Sequence, residues 1–109
     1  MKSITWLGGA KRAVLATSAS VMHVIGHELE RVQRGGAPTD SKPMTIVGKG
    51  VREIRVHVAG EHRVFYIATF PEAVYVLHVF EKKSQKTAAR DIALGQQRYQ
   101  SLLKERLRP

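Results

Sequence analysis

Residues 51–80 read VREIRVHVAGEHRVFYIATFPEAVYVLHVF, and this stretch decides the fold. In residues 51–58 polar and apolar side chains alternate, so that Ile54 and Val56 share one face of an extended chain while Arg55 lies on the other. A period of two is typical of a strand with one buried and one polar face. We therefore predict a β-strand over residues 51–58.

Two further strands follow within the same stretch. Ala59-Gly60-Glu61 predicts a turn, and residues 63–68 predict a strand that runs back beside the first. A second turn over residues 69–72 leads into residues 73–80, which are apolar at nearly every position. A strand that is apolar on both faces is typical of the centre of a sheet. The stretch thus predicts a three-stranded antiparallel meander.

The segment before the meander predicts a strand and a helical hairpin. Residues 2–7 alternate over a short span and predict a first strand. Residues 10–34 predict helix in two pieces, because apolar side chains recur there at three- and four-residue spacing and Ser18 or Ser20 can cap a second piece. The Gly35-Gly36 pair predicts a positive-φ stop after the second helix.

The remaining segments complete an α+β fold. Residues 37–50 read as an irregular connection, and residues 81–87 as a basic loop that leaves the last strand. Thr87 is placed to cap a closing helix from residue 88 to about residue 107. We expect a single domain over residues 1–109, with its helices gathered on one face of a small sheet.

The composition favours a polyanionic partner. The 109 residues include 18 Lys and Arg against 9 Asp and Glu, which gives a net charge of +9 and a field that attracts nucleic acid or an acidic protein. The absence of cysteine excludes disulfide frameworks and Cys-based zinc sites. No stretch approaches the ~20 apolar residues of a membrane span. We expect a soluble cytoplasmic protein with no membrane partner.

Basic side chains cluster on the predicted meander strands and just after them, at Arg55, Arg63, Lys82, Lys83 and Lys86. The short predicted turn places Arg55 and Arg63 on nearby rungs of one sheet face. Because a guanidinium binds phosphate oxygens through two N–H groups, the cluster predicts a site for a phosphodiester backbone. The alternative is a solvated strand face that happens to carry basic side chains.

The same cluster is suited to RNA cleavage without a metal. Such a reaction needs a base for the ribose 2′-OH, positive charge around the phosphate and an acid for the leaving 5′-oxygen. Our candidates for the acid and the base include His57, Glu53, Lys82 and Lys83. His62, His78 and Glu81 are further candidates, although we expect His78 to be a packing residue.

No metal and no other cofactor is expected. His23 and His27 share a helical face, but residues 24–26 lack the glutamate of a zinc-protease helix and a third ligand is not evident. Gly48-Lys49-Gly50 lacks the strand and helix that flank a phosphate-binding loop.

Several short motifs follow one another in an order that resembles a known family. They are Trp6-Leu7-Gly8, residues 29–35 with Pro38 and Asp40, Lys42-Pro43-Met44, residues 48–56, residues 63–66 and residues 76–87. Over residues 1–100 the chain resembles the phage-derived toxin branch of the RelE/ParE/HigB superfamily of bacterial toxin–antitoxin systems.

The resemblance implies a ribosome-dependent endoribonuclease that cuts mRNA by 2′-OH attack. It implies that Arg55 and Arg63 contact the scissile phosphate and that Lys82 or Lys83 assists the leaving group. We assign further RNA contacts to the neighbouring basic residues, Arg52, Lys86, Lys49 and Arg90. The implied partners are mRNA, the ribosome and a cognate antitoxin, expected to be of helix-turn-helix type.

Two departures from the family pattern leave alternatives open. Glu53 stands where RelE-like enzymes carry another lysine, and residues 84–92 lack the tyrosine expected after the basic pair. A DNA gyrase inhibitor, as in the ParE-like branch, is one alternative. A module that binds RNA or an antitoxin without catalysis is the other.

Overall fold

A five-stranded mixed sheet forms the centre of the fold in a computed structural model that describes residues 1–108. The strands are β1 (Ser3–Trp6), β2 (Ser41–Pro43), β3 (Val51–Val56), β4 (His62–Ile67) and β5 (Ala73–Glu81). Their order across the sheet is β1-β5-β4-β3-β2. β3, β4 and β5 form the predicted antiparallel meander, and β1 pairs with β5 in parallel. The α+β class and the meander are confirmed.

The short strand β2 lies inside the segment that we predicted to be an irregular connection. Its three residues pair antiparallel with β3, with Lys42 opposite Glu53. β2 is the last strand of the sheet, where a proline is tolerated because one edge of the strand makes no ladder. Three residues that end in Pro43 are too few to show alternation, so this strand carries no periodic signal.

The helices are α1 (Ala10–Leu15), α2 (Ala19–Gln33) and α3 (Ala89–Arg106). The Ser18 hydroxyl accepts a hydrogen bond from the Val21 N–H at 3.4 Å, and Gly35 takes a φ of +88° just beyond α2, as predicted. The predicted Thr87 cap is wrong, because α3 begins after Ala88, whose side chain makes no capping hydrogen bond. None of the helices within residues 1–108 has both the length and the hydropathy that crossing a membrane requires.

Helices cover both faces of the sheet, so our expectation that they gather on one face is wrong. α1 and α2 pack on the face that carries Ile54, Val56 and Val64. α3 packs on the opposite face, which carries Phe65, because neighbouring residues of a strand such as Val64 and Phe65 point to opposite sides of the sheet. The reason is that β4 and β5 are apolar at consecutive positions, so both of their faces must be covered.

Two glycines let α3 approach this second face, which we call the α3 face. A Cβ atom on Gly95 would lie 2.9 Å from the Phe65 ring and 3.0 Å from Val47. A Cβ atom on Gly48 would lie 2.5 Å from the Tyr99 ring. α3 is therefore seated directly on the sheet, and its first turn lies beside the end of β5.

Candidate functional site

Arg55 and Arg63 are direct cross-strand partners on the α3 face, beyond the part that α3 covers. β3 and β4 pair with Arg55 opposite Arg63 and with Glu53 opposite Phe65. The Arg55 side chain is 33% exposed, whereas that of Arg63 is only 7% exposed. The structure thus brings two guanidinium groups to neighbouring strands, and we call Arg55 and Arg63 the arginine pair.

Glu53 is buried against the arginine pair. Its Oε1 atom lies 3.4 Å from Arg55 Nε, 3.8 Å from Arg63 Nε and 4.0 Å from Lys42 Nζ. Its side chain is only 2% exposed, and its Oε2 atom has no hydrogen-bond partner within residues 1–108. Glu53 therefore neutralises cations within the sheet, and an RNA hydroxyl would reach it only if neighbouring side chains moved.

Arg63 is held by a second carboxylate, that of Glu61. Arg63 Nη1 forms an ion pair with Glu61 Oε1 at 3.0 Å and donates to the His62 carbonyl oxygen at 2.9 Å. Its Nε finds no hydrogen-bond partner in the described part of the chain. Glu61 lies in the turn that joins β3 to β4, where Ala59 and Gly60 take positive φ values of 50° and 104°. The Glu61 carboxylate therefore competes with any phosphate that approaches Arg63 from the Nη1 side.

His57 lies just after β3, which ends at Val56 and not at the predicted residue 58. Its Nε2 lies 2.7 Å from Asp40 Oδ2 and its Nδ1 lies 2.8 Å from Glu61 Oε1. The hydrogen bonds to Asp40 and then to Glu61 raise the pKa of His57 above its ordinary value. Two carboxylate acceptors favour the protonated imidazolium, which donates a proton more readily than it accepts one.

Basic residues of the β5–α3 connection (residues 82–88) lie beside the arginine pair. The Lys82 N–H donates to the Glu61 carbonyl oxygen at 2.7 Å, and one shallow hollow is lined by Glu61, Arg63, Lys82 and Lys83. A second hollow of about 140 Å³ adjoins it; we call it the basic hollow, and its lining includes Phe80, Lys82, Lys83, Lys86 and Arg90. Lys83 is 79% exposed and lies 3.9 Å from Glu81.

The sequence profile of a family described as Phage derived protein Gp49-like matches residues 13–100. The chain belongs to this family. The matched segment spans most of the chain and contains the arginine pair and the whole β5–α3 connection. A comparison with curated proteins gives no match.

Two of the expected RNA-binding residues of the Gp49-like protein lie apart from the arginine pair. Arg52 lies on the opposite face of β3, where its Nη2 donates to Ser41 Oγ at 3.2 Å. Lys49 precedes β3 at the end of the strand away from Arg55, and its carbonyl oxygen accepts from the Tyr99 hydroxyl at 3.1 Å. The other two, Lys86 and Arg90, lie around the basic hollow.

A buried polar chain in the Gp49-like protein connects β5 to α3, and sequence reasoning missed it. His78 Nε2 lies 2.8 Å from Asp91 Oδ1, and Arg98 Nη1 lies 3.2 Å from His78 Nδ1. Because Arg98 can only donate, Nδ1 accepts and Nε2 carries the proton toward Asp91. Burial lowers the pKa of His78, despite the opposing effect of Asp91, so the ring is neutral. His78 is a packing residue, as predicted, and fixes the first turn of α3.

Potential metal ligands are scattered in the Gp49-like protein. Within residues 1–108, His, Asp and Glu side chains form no group of three or more that could hold a metal ion. His23 and His27 are exposed on α2.

Proposed function

We propose that this Gp49-like protein is the toxin of a toxin–antitoxin pair and acts as a ribosome-dependent mRNA endoribonuclease of the RelE/HigB kind. The observation that carries the proposal is the direct pairing of Arg55 with Arg63 beside the lysines of the β5–α3 connection. Two guanidinium groups on adjacent strands match the charge that develops on a phosphate under attack. The resemblance to RelE-like and HigB-like toxins supports the same reaction.

The proposed chemistry assigns one task to each type of side chain. The ribose 2′-hydroxyl gives its proton to a solvent water, and its oxygen attacks the adjacent phosphorus to form a 2′,3′-cyclic phosphate. The arginine pair stabilises the charge that accumulates on the phosphate oxygens. The bond to the 5′-oxygen then breaks, and Lys82, Lys83 or the His57 imidazolium supplies the proton that this oxygen takes up. The buried position of Glu53 favours a role in holding the arginine pair in place.

The test is to produce the protein in bacteria and to follow growth and transcripts. We expect Arg63→Ala and Lys83→Ala each to relieve growth arrest and to remove the transcript ends that primer extension detects. Arg52→Ala and Lys49→Ala are matched controls, because each removes one positive charge outside the arginine pair. Thermal unfolding of purified Arg63→Ala shows whether this buried position also affects folding. Full toxicity of both Arg63→Ala and Lys83→Ala would refute the proposal.

A binding module without catalysis is the second candidate, and the carboxylates around the arginine pair favour it. Asp40, Glu53 and Glu61 already neutralise most of the charge there, which leaves the exposed cations of the β5–α3 connection to hold a ligand. This candidate predicts salt-sensitive binding to translating ribosomes without cut transcripts. Gyrase inhibition predicts DNA damage signalling with intact transcripts.

The proposed toxin implies an antitoxin as partner. The exposed lysines around the basic hollow suit an acidic segment of such a protein. A small helix-turn-helix reading frame beside the gene, and recovery of growth when both genes are expressed, would support this part of the proposal.

A further inference from the structure

Phe80 lies on the same cross-strand rung as the arginine pair. β3 and β4 place Arg55 opposite Arg63, and β4 and β5 place Arg63 opposite Phe80. The three side chains therefore occupy neighbouring strands on one face, with strands separated by about 4.8 Å. Two guanidinium groups and an aromatic ring stand side by side.

The Phe80 ring is fixed in position yet partly exposed. It stacks on His78 with a centroid distance of 4.9 Å and an interplanar angle of 20°, and it meets the Phe65 ring edge-on at 5.1 Å. His78 is itself anchored to Asp91 on α3. A ring that is held on one side by an imidazole loses little rotational freedom when a second planar group stacks on it.

The basic hollow combines this ring with positive charge. Phe80 lines it together with Lys82, Lys83, Lys86 and Arg90. Its two acidic lining residues are already engaged, since Asp91 bonds to His78 and Glu81 lies 3.9 Å from Lys83. An aromatic surface surrounded by cations is the arrangement that binds single-stranded nucleic acid without reading its sequence, through stacking and backbone charge.

We infer that Phe80 is the stacking platform of a nucleobase subsite, which takes the base adjoining the phosphate held by the arginine pair. This inference rests on the proposed RNA-binding function and adds to it a contact with the base itself. Because every base has a π-face, the subsite accepts all four bases and favours the purines, whose stacking surface is larger.

The test measures binding of an uncleavable RNA with and without bases. The probes are a 2′-O-methyl hexaadenylate and an abasic hexamer of equal charge. We expect Phe80→Ala to weaken binding of the hexaadenylate about tenfold and to leave binding of the abasic hexamer unchanged. Phe70→Ala is the matched control, because Phe70 packs against Tyr75 outside the basic hollow and its loss should change neither affinity.

A fluorescent variant gives a second readout that does not depend on truncating the ring. Trp6 is the only tryptophan of the chain, so Trp6→Phe combined with Phe80→Trp leaves one reporter in the subsite. We expect the hexaadenylate to quench this reporter and the abasic hexamer to leave it bright. Equal quenching by both probes, or no quenching at saturation, would overturn the inference.

The outcomes separate this inference from the proposed function. If Arg63→Ala loses both probes while Phe80→Ala binds both normally, the phosphate site stands and the base subsite does not exist. If Phe80→Ala loses affinity only for the hexaadenylate, while Arg63→Ala still binds both probes and still cuts transcripts in cells, the subsite stands and the proposed role of the arginine pair fails. Parent protein that binds neither probe overturns the base subsite, whereas the proposed function is decided by the transcript ends in cells.

Discussion

Replacing glycine with alanine should stabilise the protein in helix α2, whereas the same change in helix α3 should leave its stability unchanged or lower it. Gly26 lies in α2, where an added Cβ atom would meet nothing within 4 Å in residues 1–108 except its chain neighbours and the backbone of its own helix. Gly26→Ala should therefore gain about 1 kcal/mol from helix propensity alone. Gly95 lies in α3, where the added Cβ atom would stand 2.9 Å from Phe65 and 3.0 Å from Val47. Overpacking of this kind costs about 1–3 kcal/mol, which offsets or exceeds the same propensity gain.

The two variants should therefore differ in free energy of unfolding by about 1–3 kcal/mol. Thermal unfolding followed by circular dichroism checks this: Gly26→Ala should raise Tm by about 4–8 °C, and Gly95→Ala should leave it unchanged or lower it. In a Phe65→Leu background the penalty at Gly95 should shrink, because the colliding ring edge is gone. A Gly95→Ala variant as stable as Gly26→Ala would refute the close seating of α3 on the sheet, and with it the position of the basic hollow.

Two further predictions concern the charges around the arginine pair. Glu61→Gln should tighten binding of an RNA oligomer about two- to fivefold in a filter-binding assay, because it removes the negative charge that competes for Arg63. Glu72→Gln, at the far end of β5, is the control and should leave the affinity unchanged. A loss of affinity in Glu61→Gln would contradict the competition. The pKa of His57 is raised from 6.5, so its ion pairs stabilise the fold fully below pH 6.5, and this contribution is lost as the pH rises through the folded-state pKa. Asp40→Asn should lower the His57 pKa in an NMR titration and flatten the dependence of Tm on pH above 6.5; an unchanged titration would show that the Asp40 contact does not persist in solution.

The meander could be predicted because the polarity of its residues reflects which faces of each strand are buried. Alternation in residues 51–58 and the apolar run of 73–80 reflect one-sided and two-sided burial, and both strands are where we predicted them, to within two residues. The short turn predicted Arg55 and Arg63 on nearby rungs of one sheet face, and the structure makes them direct partners. The side of the sheet on which α3 packs could not be predicted. The sequence of an amphipathic helix shows that one of its faces is buried but not which element buries it.

The basic side chains of the candidate site could be predicted from the sequence, but the acidic residues that contact them could not. The spacing of basic residues identifies Arg55 and Lys82 as members of one surface, but their partners Asp40 and Glu61 lie far from them in the chain. Arg55 pairs with the Asp40 carboxylate, and the Lys82 N–H bonds to the Glu61 carbonyl oxygen. Asp40 precedes the unpredicted strand β2, and Glu61 reaches the site through a turn with two positive φ values. The bond between His78 and Asp91 likewise depends on how α3 is seated.

The pairing of β1 with β5 sets the order in which a nascent chain can reach its final shape. β1 precedes every other strand in the chain, yet its hydrogen-bonded neighbour β5 is the last of the five along the chain. Contacts between such distant segments form late, because a long loop must close before they are gained. α3, which fixes His78 and the basic hollow, is made later still. The proposed site can therefore assemble only after β5 and α3 have both been synthesised.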